Sequence, residues 1–177
     1  ETFDRVATIR EVILGPDHAD TLMAIKAQAV IGAKLGRYKY AIQLYESLIE
    51  RFEDGTPENL ANLYIDLGSL YHAQGDYEKG RLYYRKASDV VTHALGYNHR
   101  LTLASNALLS SAEEDLGRYL EAEALLRSNV QAAENRPDEN QELIASSSSK
   151  LGRFLYLRNR HSEAEELMLR VIRIYEN

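Results

Sequence analysis

The chain has 177 residues, 45% of them apolar, with 27 acidic against 21 basic side chains and a net charge of −6, the composition of a folded chain. The acidic balance excludes a nucleic-acid backbone as the main partner, since phosphate binding needs clustered Lys and Arg. With no cysteine there are no disulfides, thiolate metal sites or cysteine nucleophiles, and no apolar run approaches the roughly 18 residues of a membrane span.

Three Pro and ten Gly leave little material for a many-turned β fold, so helices are expected throughout. The opening stretch TFDRVATIREVIL has helical apolar spacing and predicts a lone helix over 1–14. No basic-then-apolar leader stands before it, and a cytoplasmic location is expected. Next comes LGPDHADTL, Leu14 to Leu22, in which Asp17, His18 and Asp20 could ligate a metal, share a proton, or cap a helix. The same frame returns 81 residues later as LGYNHRLTL, Leu95 to Leu103, with Asn98 and Leu101 in place of Asp17 and Asp20. A metal site needs its anionic ligands, whereas a turn needs only its Gly and its polar cap, so both stretches read as connectors.

Around these connectors, helix pairs are predicted over 20–54, 59–94, 101–135 and 139–177. In the last pair ASSSSKLG, Ala145 to Gly152, has the composition of a linker. Leu143, Leu151, Phe154 and Leu155 flank it at helical spacing, however, which predicts an in-register helix weakened by serine.

The pairs are repeats. GRYKYAIQLYESLI, GDYEKGRLYYRKAS, GRYLEAEALLRSNV and NRHSEAEELMLRVI align on Ala41, Gly80, Ala122 and Ala164, spaced by 39, 42 and 42 residues. Twelve residues before each stands a second small residue, Ala29, Gly68, Ser110 and Gly152. Antiparallel helices approach closely only where the crossing side chains are small, and all eight positions comply. Between the helices, Gly36, Gly75, Gly117 and Asn159 fall where a helix ends in a left-handed cap.

This pattern resembles the tetratricopeptide repeat, with Tyr64, Leu67, Gly68, Tyr71, Gly75, Tyr77, Gly80, Tyr84 and Ala87 on the family's signature positions. A period near 42 with Leu-Gly-x-Asp/Asn-His between units is similar to the kinesin-light-chain variety, longer than the ordinary 34-residue unit. The connectors FEDGTPEN and ENRPDEN depart from that motif. The resemblance implies an all-α, right-handed superhelical solenoid of antiparallel helix pairs, about nine helices, forming a single array from a longer protein. The lone first helix would be the second half of a truncated repeat.

The resemblance also implies a non-catalytic scaffold that binds a peptide or partner domain in a concave groove. The alternative is a sensing or autoinhibitory arm of a nucleotide-switch signalling ATPase. Mapped onto the family's groove positions, the first pair offers Met23, Lys26, Val30 and Lys34, and the second Asn62, Ile65, Ser69 and His72. The third offers Ala104, Ala107, Ser111, Glu114 and Asp115, and the fourth Ser149, Arg153 and Tyr156. Kinesin light chains hold cargo with paired asparagines, but the matching pairs here are Lys26-Ala27, Ile65-Asp66, Ala107-Leu108 and Ser149-Lys150, so that specificity is not implied. The carboxylate clamp of chaperone-binding relatives is incomplete too, since Val30 stands where an Asn is expected.

No catalytic, cofactor-binding or metal-binding residue is expected. The five histidines never stand in metal-ligand spacing, and no G-x-S-x-G, phosphate loop or dinucleotide fingerprint occurs. The ends carry a further expectation. Phe3, Val6 and Ile9 lie on the face that a preceding helix would cover, and Val171, Ile172 and Tyr175 lie near the face where a following repeat would stack. Weak end-to-end self-association is therefore predicted.

Overall fold

The computed structural model describes residues 2–52, 55–135 and 141–176, and these form nine helices with no strand among them. They are α1 (Thr2–Leu14), α2 (Ala19–Lys34), α3 (Tyr38–Arg51), α4 (Pro57–Ala73), α5 (Tyr77–Leu95), α6 (Arg100–Asp115), α7 (Tyr119–Glu134), α8 (Gln141–Tyr156) and α9 (His161–Glu176). Residues 54 and 139, where two of the predicted pairs end or begin, lie outside the described residues, as does the side chain of Phe3. The serine-rich stretch is helical, inside α8.

Local chemistry sets the helix ends. His18 and His99 are both N-caps in extended conformation, and the Nδ1 of each accepts a hydrogen bond, from Asp20 N at 3.2 Å and Leu101 N at 3.3 Å. One turn on, the hydroxyls of Thr21 and Thr102 donate back to the carbonyls of Gly15 and Gly96 at 2.9 and 2.8 Å. The two Leu-Gly…His…Thr stretches are thus one device used twice, a helix stop followed by a capped restart.

Within the pairs, Gly36, Gly75, Gly117 and Asn159 have φ of 73°, 79°, 73° and 59°. The next amide, from Arg37, Asp76, Arg118 or Arg160, donates to the carbonyl of Gly32, Tyr71, Glu113 or Leu155 at 2.8–3.0 Å. This is the six-to-one bond of a Schellman turn, closed four times by the same means.

Packing follows the small-residue positions. Ala29, Ala41 and Ala122 are fully buried, and a Cβ on Gly80 would stand 3.2 Å from the Gly68 carbonyl on the facing helix. The first helix pair and α4 share a core of Leu22, Ile25, Tyr45, Leu48, Leu67 and Leu70. Leu126, Leu151, Phe154 and Leu155 form another between α7 and α8. Consecutive helices pack in chain order, and α6 also touches both α4 and α8. The first helix α6 thus meets the first helices on either side of it, and the first-helix side corresponds to the inner side of the superhelix that the repeat pattern implies.

Candidate functional site: the concave surface

The concave surface is built from α2, α4, α6 and α8, and the predicted groove residues lie along it with different fates. Lys26 Nζ is 2.8 Å from Asp66 Oδ2 on α4. His72 Nε2 is 2.8 Å from Asp115 Oδ2 on α6. Glu114 on α6 meets Arg153 at 3.4 Å and Arg158 at 3.5 Å. Each tie joins one first helix to the next or, for Arg158, to the turn that follows it. At their partial exposure such pairs contribute on the order of 0–1 kcal/mol each, so they orient the helices more than they stabilise them.

Two cavities open between these ties. One, of about 420 Å³, lies between α2 and α4 and is lined by Leu22, Met23, Lys26, Phe52, Asn62 and Leu63 among others. The second, of about 400 Å³, lies between α6 and α8 on a floor of Ala104, Ala107, Leu108 and Ser111, with Glu114, Lys150 and Arg153 at its sides. The α4–α6 interval between them is bridged by the His72–Asp115 pair, and Ile65 on α4 packs against the cluster of Ala61, Ala87 and Val91. Ser149, Arg153 and Tyr156 line a third cavity of about 400 Å³ between α8 and α9.

Several predicted residues belong to the packing as much as to the surface. Val30 packs against the first core and Ala107 is buried. Ser69 is exposed and accepts a hydrogen bond from the Tyr84 hydroxyl at 3.1 Å. Lys34 stands exposed at the end of α2. Burial pushes the Tyr84 phenol above its ordinary value. Burial, with Asp66 nearby, pushes the Tyr45 phenol up to about 12, so both remain neutral hydrogen-bonding groups at physiological pH.

The family pattern missed Leu22, Asn59, Leu63 and Phe52, which line the α2–α4 cavity. It also missed Glu113, 1% exposed and facing Arg81, Arg85 and Arg118. A signal for Glu113 existed, because the equivalent positions in the second and fourth pairs hold Tyr71 and Leu155.

Elsewhere the surface carries little reactive chemistry. The Nδ1 atoms of His18 and His99 are engaged as caps, and among the described residues no three His, Asp or Glu side chains converge as metal ligands. No described helix is long and apolar enough to cross a membrane.

Comparison with known proteins agrees with the architecture. No curated protein matches the sequence. Among solved structures, the nearly identical TPR-like repeats of a Podosopora anserina kinesin-light-chain protein superpose with a TM-score of 0.77 at 21% identity, over 97% of this chain and 82% of that one. BtubC (BKLC) from P. vanneervenii gives 0.76 at 19% identity, covering 99% and 69%. A signal-transduction ATPase with a tetratricopeptide repeat sensor from Pyrococcus horikoshii gives 0.58 at 16% identity, over 97% of this chain and 30% of that one. At these identities the likeness is one of fold. The sequence model of the tetratricopeptide repeat matches residues 59–128 and 102–177, two thirds of the chain in all, and with nine described helices in that arrangement the chain belongs to the tetratricopeptide repeat family.

Proposed function

We propose that this chain is a non-catalytic interaction scaffold whose concave surface binds a peptide segment or a partner domain, in a cytoplasmic setting. The observation that carries this reading is the pair of open cavities of about 420 and 400 Å³ on the first-helix side, each with an apolar floor and polar walls. Such a surface holds an extended or helical segment through side-chain pockets. The ion pairs between successive first helices support the reading because they leave the surface largely preformed, which lowers the ordering cost of binding.

The test is selection of peptides from a random displayed library on the intact chain, followed by affinity measurement against variants. Met23→Glu and Ser111→Arg, at the two cavities, should each weaken a selected peptide at least tenfold, about 1.4 kcal/mol. Gln43→Arg, on the exposed face of α3, should leave it unchanged. Peptides whose affinity ignores both groove changes would overturn the reading.

The second reading, a sensing arm of a signalling ATPase, draws on the shared fold with the Pyrococcus horikoshii protein. It uses the same surface. Weak end-to-end association belongs to the proposal as well, supported by exposed Val6, Ile9, Val12 and Ile13 on α1 and Leu169, Ile172 and Tyr175 on α9. Sedimentation at rising concentration should show it, and Ile9→Lys or Ile172→Lys should abolish it; a monomer at every concentration removes it.

A further inference from the structure

The last turn of α6 is wholly acidic, unlike that of most of the described helices. Helix C-termini favour basic side chains, and α2, α3, α4, α5, α8 and α9 each carry one in the last turn, Lys34, Arg51, His72, His93, Arg153 and Arg173, while α1 and α7 carry none. Helix α6 likewise has no basic residue in its last turn, and it ends in Glu113-Glu114-Asp115. The compensating charges all come from other elements.

Glu113 points to the convex side, where its Oε1 accepts a hydrogen bond from Arg85 at 3.3 Å and lies 3.6 Å from Arg81. Its Oε2 lies 3.5 Å from Arg118 and accepts no hydrogen bond. Glu78 holds the same arginines from behind, Arg118 at 2.5 Å and Arg81 at 3.1 Å. Glu114 turns toward α8, to Arg153 and Arg158, and Asp115 toward α4, to His72. Successive residues on a helix diverge by roughly 100°, so three adjacent carboxylates reach three neighbouring elements.

A buried carboxylate with one oxygen unbonded is a poor source of stability. Replacing such a group by an apolar side chain of similar size is often neutral or stabilising, and the fourth pair uses Leu155 at the equivalent position. What the carboxylate adds is orientation. We propose that Glu113 is a positioning residue of the concave surface: clamped by Arg81, Arg85 and Arg118 outside the groove, it fixes the rotation of α6. Through Glu114 and Asp115 it then fixes the angle between the first two helix pairs and the last two. The surface is the one assigned above to ligand binding, but the test needs no ligand, so the two readings fail separately.

Because the chain has no cysteine, spin labels can be placed at exposed Gln43→Cys on α3 and Glu166→Cys on α9, and the distance between them read by pulsed EPR. With Glu113 intact the distribution should be single and narrow. Glu113→Leu should keep or raise the melting temperature yet displace the mean by several ångströms or broaden the distribution roughly twofold. Glu113→Gln, which keeps shape and one hydrogen bond, should move it in the same direction by less. Distributions that superpose on the parent in both variants would mean that Glu113 only fills space. Should the leucine variant fail to fold, the glutamine variant decides alone: a shifted or broadened distribution supports the proposal and an unchanged one overturns it.

Discussion

The second and fourth helix pairs are built on the same positions and end in different states. In the second, Gly68 and Gly80 let α4 and α5 meet almost backbone to backbone, and Tyr84, 3% exposed, lies beneath α6 beside Leu109 and Ala112. In the fourth, Gly152 and Ala164 make the equivalent crossing, but Met168 stands at the Tyr84 position, half-buried beside a cavity of about 400 Å³. Burial in a solenoid is therefore supplied by the next first helix as much as by the pair itself.

The largest effect that would sharpen this contrast is at the tyrosine. Tyr84→Ala should cost on the order of 3–5 kcal/mol, as for a large buried aromatic. Met168→Ala should cost only about 1 kcal/mol, because much of its side chain is already in contact with solvent. Thermal melts of the two variants measure the difference, and equal losses would break the comparison.

The crossing glycines come next. Gly80→Leu would drive a side chain against the backbone of α4 and should cost about 1–3 kcal/mol or more. The same overpacking argument applies to Gly152→Leu, but there the first obstacle to a new Cβ is the flexible end of the Met168 side chain, beside the α8–α9 cavity. Denaturant midpoints should therefore fall distinctly less for Gly152→Leu than for Gly80→Leu.

A smaller effect concerns a swapped aromatic pair. His72 meets Tyr77 edge-on at 5.0 Å, and in the fourth pair Tyr156 meets His161 at the same distance with the residue types exchanged. Tyr156→Ala or His161→Ala alone should cost roughly 0.5–1.5 kcal/mol, and the exchange Tyr156→His with His161→Tyr should be near neutral. The analogous exchange at His72 and Tyr77 should cost more, since it also forfeits the Asp115 contact.

The smallest effect is electrostatic. Glu123 on α7 accepts from both Arg160, at 2.7 Å, and Arg127, at 2.8 Å. Burial alone would raise its pKa, but the hydrogen bonds to Arg160 and Arg127 outweigh it and hold the carboxyl below its ordinary 4.5. The sign follows from that depression: the stabilisation is fully present above about pH 4.5 and is lost as pH falls through the lower folded-state value. Melting temperatures of Glu123→Gln and the parent should differ at pH 7 and converge in acid.

The repeat frame was legible because its signals are local or strictly periodic. Small residues at eight positions of four crossings, a left-handed residue at four turns and two His-capped connectors each follow from backbone geometry that a few adjacent residues dictate. The surface was harder to read. Val30 and Ile65 sit at groove positions by register, yet both pack inward, because the neighbouring repeat and not the helix period decides how much of a first helix is covered. The ties from Lys26 to Asp66 and from Asp115 to His72 join residues 40 and 43 positions apart. Their pairing depends on side-chain reach between helices, which periodicity does not encode. Glu113 was harder to read for the opposite reason: a charged residue at a helix end reads as solvated, and although Tyr71 and Leu155 at its repeat positions signal burial, the three arginines that meet its charge come from distant residues.

The most direct test of the account is a hydrogen-exchange footprint of the intact chain with a peptide selected on it. Binding in the concave surface should slow exchange along α2, α4, α6 and α8 and leave the outer turns of α3, α5 and α7 unchanged. Protection confined to α3, α5 and α7, with the first helices unaffected, would contradict it.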